Sequence, residues 1–293
     1  MLGRRTLDRL DQMLDEAIAG TFCESDYDES KLSKVEAKWK HFLGTSVISR
    51  ENLEKEKESV KGLVSDISHQ TKTPMANIKL YASLLEESLQ SENGANREEI
   101  LCNREKDLRI LGEIIRQTEK LEFLIQSLTK MSRLESNIVE VQPKSQKISR
   151  LLDTVIEDIM PKAEKKNVGV LNTYHDEGIA CYDMKWTKEA LGNVLDNAVK
   201  YSASGSQVVV SVTEYELYTA ISVKDSGIGI KEEDTAKIFG RFYRAEEVQQ
   251  EDGVGIGLYL TREILRKENG YIKVKSKPQK GAEFILYLQR DSV

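Results

Sequence analysis

Leu7, Leu10, Leu14 and Ile18 recur at steps of three and four residues, the period of an amphipathic helix, and Gly20 stops the run. Residues 21–30 form a polar connector, after which Leu32, Val35, Trp39 and Phe42 begin a second stripe. From about Ser46 the spacing predicts a long helix with a heptad-like seam through Val60, Leu63, Ile67, Pro74, Ile78, Tyr81 and Leu85. The polar stretch Ser91-Glu92-Asn93-Gly94-Ala95-Asn96 makes a turn. A second long helix then carries Leu101, Leu108, Leu111, Ile115, Leu121, Leu124, Leu128 and Met131. One hairpin cannot bury both seams well, so a dimeric four-helix bundle is the expected solution.

Beyond the hairpin the period changes. Asn137 to Lys147, with Pro143, reads as a linker. Leu151, Leu152, Val155, Ile156 and Ile159 give residues 149–166 helical spacing, Val168–Asn172 resembles a short strand, and Trp186–Tyr201 a helix. Alternating strands follow at about 207–216 and 218–225, then a loop, a helix near 256–269, and strands at 271–276 and 282–288. This is the pattern of an α+β layer with helices on one face of a sheet.

The length of 293 residues predicts two or three units. A net charge of −6 and a pI near 5.4 argue against direct binding to nucleic acid or to an acidic membrane surface. Cys23, Cys102 and Cys181 are far apart and form no metal spacing, as in a reduced cytoplasmic protein. No apolar run approaches the roughly 20 residues of a membrane helix, and Met1-Leu2-Gly3-Arg4-Arg5 leads into no signal-peptide core. The expectation is a soluble chain. The cytosolic part of a longer inner-membrane protein, anchored upstream, stays open.

His69, one of three histidines, lies in the run Ser65-Asp66-Ile67-Ser68-His69-Gln70-Thr71-Lys72-Thr73-Pro74. It stands two residues beyond the seam position Ile67, roughly 200° round the helix, so the imidazole is expected to face outward. Pro74 is expected to kink the helix just beyond it. About 125 residues downstream, Asn193, Asn197, Lys200 and Tyr201 share one helical face. Amide oxygens are ligands of the kind Mg²⁺ accepts beside phosphate, although a polar helix face is often only solvated.

In Ser222-Val223-Lys224-Asp225-Ser226-Gly227-Ile228-Gly229-Ile230, Asp225 shares parity with Ile221 and Val223 and so falls on the apolar face at a strand's end. A buried carboxylate needs a donor, and the exocyclic amine of adenine is a fitting one. Gly227 and Gly229 allow close backbone approach to a flat base. Gly253-Val254-Gly255-Ile256-Gly257-Leu258 opens a helix, where backbone N–H groups can meet phosphate; by itself this signal is weak. Between the glycine turns, Ile238-Phe239-Gly240-Arg241-Phe242-Tyr243-Arg244 combines aromatics with two arginines and suits a lid.

In this order and spacing the motifs closely resemble the sensor histidine kinases of bacterial two-component systems. His69 to Pro74 resembles the phosphoacceptor box, Asn193 to Tyr201 the asparagine box, and Phe239 to Arg244 the phenylalanine box. Asp225 to Gly229 and Gly253 to Leu258 resemble the two glycine boxes. The resemblance covers about residues 46–290; residues 1–45 only faintly resemble a HAMP-type relay. It implies an α+β protein: a relay-like region over 1–45, a dimerisation and phosphotransfer hairpin over 46–137, a linker over 138–147, and an ATP-binding α/β sandwich of the gyrase, chaperone and kinase type over 148–293.

By the same resemblance His69 would receive the γ-phosphoryl group of ATP and pass it to an aspartate on a response-regulator receiver domain. Asn197 would hold Mg²⁺, with Asn193 and Lys200 near the phosphates. Asp225 would read adenine, Tyr201 would line the pocket, and Arg244 would approach the γ-phosphate. Gly227, Gly229, Gly253, Gly255, Gly257 and Leu258 would complete the nucleotide site in a homodimer.

One position departs from the family pattern. Gln70 stands where a Glu or Asp most often follows the histidine, and an amide can orient the imidazole but cannot take its proton. Thr73 occupies the position where the family often places a water-orienting hydroxyl or amide, which keeps a regulator phosphatase activity open. Two other readings compete. A clamp-type ATPase of the same superfamily leaves the His69 box unexplained, and a non-catalytic signalling scaffold has only Gln70 in its favour.

Overall fold

The computed structural model describes residues 33–91, 97–135, 141–248, 251 and 253–290. The Leu7–Ile18 stripe, the 21–30 connector and the 92–96 turn lie outside the described residues. The chain divides into two units, Met1–Gln70 and Thr71–Val293. Helix α1 spans Ser33–Ser91, so the second stripe and the long seam are one helix with no break near Ser46. Gly44 is the only glycine near that point, and one helical glycine costs about 1 kcal/mol, too little to stop so long a helix.

In the first unit Leu63 and Ile67 are half-buried, while Val60, His69 and Gln70 are exposed. The Ser68 hydroxyl donates back to the Val64 carbonyl at 2.7 Å, one turn earlier on the helix.

The second unit begins with the rest of α1, which continues through a buried Pro74. Helix α2 (Arg97–Glu135) follows. The expected seam holds on α1, where Pro74 is buried and Ile78, Tyr81 and Leu85 are half-buried. On α2 its first half is displaced. Leu108, Leu111 and Ile115 are 64, 44 and 51% exposed, and the buried line is Ile110, Gln117, Leu124 and Met131, spaced by sevens. Polar Gln117 masks that heptad in the sequence, and an adjacent apolar stripe draws the eye instead.

The α/β part contains β1 (Lys144–Lys147), α3 (Ile148–Lys166), β2 (Gly169–Asn172), β3 (Ile179–Tyr182), α4 (Met184–Tyr201), β4 (Gln207–Glu214) and β5 (Tyr218–Lys224). After three short 3₁₀ turns come α5 (Gly257–Lys267), β6 (Tyr271–Ser276) and β7 (Ala282–Gln289). The main sheet runs β2-β4-β5-β7-β6, with β2 parallel to β4 and the remaining pairs antiparallel. One face carries Val208, Val210, Ile221, Val223, Phe284, Leu286 and Leu288 into a core shared with Leu151, Leu152, Val155, Leu191, Leu195 and Leu265 of the helices. Fully burying each such side chain contributes about 1.5–3 kcal/mol.

The expected linker over 138–147 needs correction at its end. Residues 144–147 form β1, antiparallel to β3. Lys-Ser-Gln-Lys has no apolar alternation, and the strand is held by its ladder and by Tyr182 Oη donating to the Lys147 carbonyl at 2.8 Å.

Asp183 caps α4 by accepting from Lys185 N at 3.0 Å, and its other oxygen accepts from Gln142 N at 3.1 Å. Its own N–H donates at 3.0 Å to Glu268, which also accepts from Thr187 Oγ1 at 2.8 and 2.9 Å. Glu268 is 1% exposed, and burial pushes its carboxyl up to about 7 against the pull of the Asp183 and Thr187 donors. An acid raised on folding keeps its proton longer in the native state. Stability is therefore expected to fall as pH rises from the unfolded value of 4.5 through about 7. Glu268→Gln, which carries no charge, should be the more stable protein at pH 8 by on the order of 2–3 kcal/mol and equal to wild type near pH 4.5. Urea midpoints at the two pH values check this; a constant gap between the two proteins would contradict it.

Candidate functional site

Helix α4 buries Leu191, Val194, Leu195, Ala198 and Val199, which turns Asn193, Asn197, Lys200 and Tyr201 to its half-buried flank. Facing that flank is the end of β5. Register pairs Ile221 with Leu286 and Val223 with Phe284, and Asp225 follows on the same inward face. Asp225 Oδ1 accepts from Gly227 N at 2.8 Å and from Ala282 N at 3.2 Å. The carboxylate is 7% exposed; burial raises its pKa, opposed by those two N–H groups. One oxygen thus holds the turn while the carboxylate still lines the cavity beside it.

That cavity encloses about 300 Å³. Asn197, Tyr201, Asp225, Gly229, Arg244, Gly255, Gly257 and Leu258 all line it. Asn193, Lys200, Gly227 and Gly253 are not among its lining residues. Asn193 Nδ2 donates to the Gly257 carbonyl at 3.3 Å, tying α4 to the start of α5. Lys200 Nζ donates to Tyr201 Oη at 3.1 Å and lies 4.7 Å over its ring. A Cβ at Gly227 would fall 2.3 Å from the Tyr201 carbonyl oxygen, so glycine lets the turn seat on the end of α4. His69, Gln70 and Thr73 are exposed on α1.

The segment between the glycine turns forms one wall. Ile238 and Tyr243 line the cavity, whereas Phe239 packs on the core. Gly255 has φ +77°, and a Cβ there would lie 2.7 Å from the Tyr243 carbonyl oxygen, so the second glycine turn passes directly against this segment. Arg244 donates to the carbonyls of Val248 and Glu251. Arg241 points elsewhere: its Nη2 donates at 2.7 Å to Glu135 of α2, which also accepts from Tyr259 Oη at 2.6 Å. Sequence reasoning misses Lys231 and Glu247, which line the cavity as an ion pair. They stand sixteen positions apart, and no local spacing signals the pairing.

Among the described residues no three His, Cys, Asp or Glu side chains gather to hold a metal, and no helix is long and apolar enough to cross a membrane. The Asn197 amide is the hard-oxygen side chain that α4 brings to the cavity, and it fits a Mg²⁺ ion held jointly with phosphate oxygens.

Two family models match the chain in order. The His Kinase A (phospho-acceptor) domain matches residues 59–137, and the histidine kinase-, DNA gyrase B- and HSP90-like ATPase matches residues 182–292. The chain belongs to the two-component sensor histidine kinases. A curated relative, sensor protein SrrB of Staphylococcus aureus (strain N315), is 25% identical over 263 residues, covering 89% of this chain and 43% of the relative. The chain therefore spans less than half the length of the curated relatives it matches. Solved structures share the fold. Acinetobacter baumannii histidine kinase AdeS aligns with a TM-score of 0.54 at 18% identity, over 76% of this chain and 98% of that one. Histidine kinase ThkA in complex with response regulator protein TrrA aligns at 0.61 and 19%, over 83% of this chain and 66% of that one.

Proposed function

We propose that this kinase binds ATP in the α4–β5 cavity, transfers the γ-phosphoryl group to His69, and passes it to an aspartate of a response-regulator receiver domain. The observation that carries the reading is the convergence of Asn197, Tyr201, Asp225, Gly229, Arg244, Gly255, Gly257 and Leu258 on one cavity. Its volume of about 300 Å³ falls within the roughly 300–1,000 Å³ of small-molecule sites.

In the transfer an imidazole nitrogen of His69 attacks the γ-phosphorus, the bond to the bridging oxygen breaks, and ADP leaves. Mg²⁺ supplies charge neutralisation on the phosphoryl oxygens. Asn197 and the N-terminus of α5 present an amide and backbone N–H groups to the polyphosphate, and Arg244 adds a cation. Gln70 orients the ring, and the imidazole proton passes to solvent because the amide cannot accept it.

ThkA was solved with its response regulator, which supports a receiver domain as the acceptor. The exposed stripe of Leu108, Leu111 and Ile115 supports a homodimer in which a second copy covers it. A cytoplasmic location follows from the use of ATP and of a soluble regulator.

Incubation with γ-labelled ATP and Mg²⁺ tests the reading, with acid-labile, base-stable label on the protein as the expected result. Absence of protein-bound label would remove it. Asp225→Asn isolates base recognition, because the amide oxygen can keep the Gly227 and Ala282 bonds while a donor replaces the second acceptor. Losing a hydrogen bond to a charged group should weaken ATP binding by about 10- to 100-fold. Unchanged affinity by calorimetry would take Asp225 out of the site.

A further inference from the structure

Two contacts join the loop after the first glycine turn to the lid, and the proposed transfer uses neither. Lys231, directly after Ile230, pairs with Glu247 in the 3₁₀ turn Glu246–Val248. Three residues along the same loop, Asp234 accepts a hydrogen bond from Tyr243 Oη. Lys231, Tyr243 and Glu247 all line the cavity. The contacts differ in burial. Asp234 is buried, whereas the Lys231 and Glu247 side chains are 50 and 43% exposed, at the cavity's rim.

The lid's course depends on contacts of this kind. Phe242, next to Tyr243, has φ +59°, a conformation that an aromatic residue does not choose by itself. Arg244 closes the turn internally through the Val248 and Glu251 carbonyls. This makes Tyr243 to Val248, tied to Glu251, a small preformed unit, fixed at Tyr243 by the buried carboxylate and held at Glu247 by a solvent-exposed ion pair. An exposed pair opens readily because water competes for both partners.

We propose that Lys231 and Glu247 form a strap across the rim of the nucleotide cavity, which opens to admit nucleotide and slows its escape, with Tyr243 and Asp234 as the hinge. The proposal rests on the ATP reading of the cavity. It makes Lys231 and Glu247 positioning residues that set nucleotide residence, not groups that touch the reacting atoms.

The strap and simple charge steering part company in kinetics. A strap acts on dissociation, so removing either partner should speed it. Steering acts on association, where the two partners have opposite signs toward an anionic nucleotide. Stopped-flow with a fluorescent ATP analogue and Mg²⁺, followed by an unlabelled ATP chase, separates the rates. Lys231→Met and Glu247→Gln should each raise the dissociation rate by about 1.5- to 5-fold, the range of an exposed ion pair. Association should slow in Lys231→Met and quicken in Glu247→Gln. The reversed pair, Lys231→Glu with Glu247→Lys, should return dissociation to near the wild-type rate. Raising salt should shrink the difference between wild type and the single variants.

Opposite shifts in association with unchanged dissociation would overturn the strap and leave two steering charges. A reversed pair that dissociates as fast as the single variants would overturn it as well. Failure of the wild-type chain to bind the analogue would overturn the nucleotide reading and the strap together, and is recognised because no rate can be measured for any form.

Discussion

His69→Ala is expected to abolish acid-labile phosphorylation while ATP binding persists. The loss should be complete to the detection limit, because the substitution removes the nucleophile itself and leaves no weaker version of it. Binding should persist because every lining residue of the cavity belongs to the unit Thr71–Val293, whereas His69 belongs to Met1–Gln70. The sequence offers two other histidines, His41 and His175. Label retained by the variant would move the acceptor to one of them and dissolve the reading of the hairpin. Loss of label together with loss of nucleotide affinity would point to a structural role instead. The same experiment weighs the competing readings: a clamp ATPase of this fold would hydrolyse ATP without labelled protein, and a scaffold would bind without either.

Where the sequence spoke clearly, one short-range pattern decided the local structure. Helical spacing alone turns Asn197 and Tyr201 away from Leu191 and Leu195, and strand parity alone puts Asp225 with Ile221 and Val223. The order of helices and strands after residue 148 follows from the same periodicities except for β3, four residues (Ile179–Tyr182) that they leave unread, and the α+β class follows as well. Patterns fail where two answers share a segment or where the partner is remote. On α2 the stripe Leu108, Leu111, Ile115 and the heptad through Ile110 and Gln117 are both helical, and only packing tells the buried one from the exposed one. β1 is four polar residues whose partner strand is more than 30 positions away. Glycines are legible as turns but not as contacts. Gly255 lines the cavity and Gly253 does not, although both belong to one motif. The lid contacts Lys231–Glu247 and Tyr243–Asp234 depend on how the segment folds back, which residue spacing does not encode.

Asn197→Ala should have the largest effect of any substitution in the cavity that leaves the fold intact. Asn197 is half-buried and lies one turn beyond Asn193 on α4, and the helix core of Val194, Leu195, Ala198 and Val199 does not include it. Truncation therefore removes an amide from the cavity wall without opening the core, and thermal stability should change little. Asn193 would still tie α4 to Gly257, so the start of α5 should keep its place. What is lost is the side-chain oxygen that fits Mg²⁺. Autophosphorylation should fall by on the order of 10²–10³-fold, the loss seen when one preorganised electrostatic group is removed. A second readout separates this role from simple contact with the nucleotide. Wild-type affinity for ATP should rise when Mg²⁺ is added, whereas the affinity of Asn197→Ala should respond far less. If the variant kept the full Mg²⁺ response in a binding assay, the ion would have to be held elsewhere, and Asn197 would serve only as a wall of the cavity.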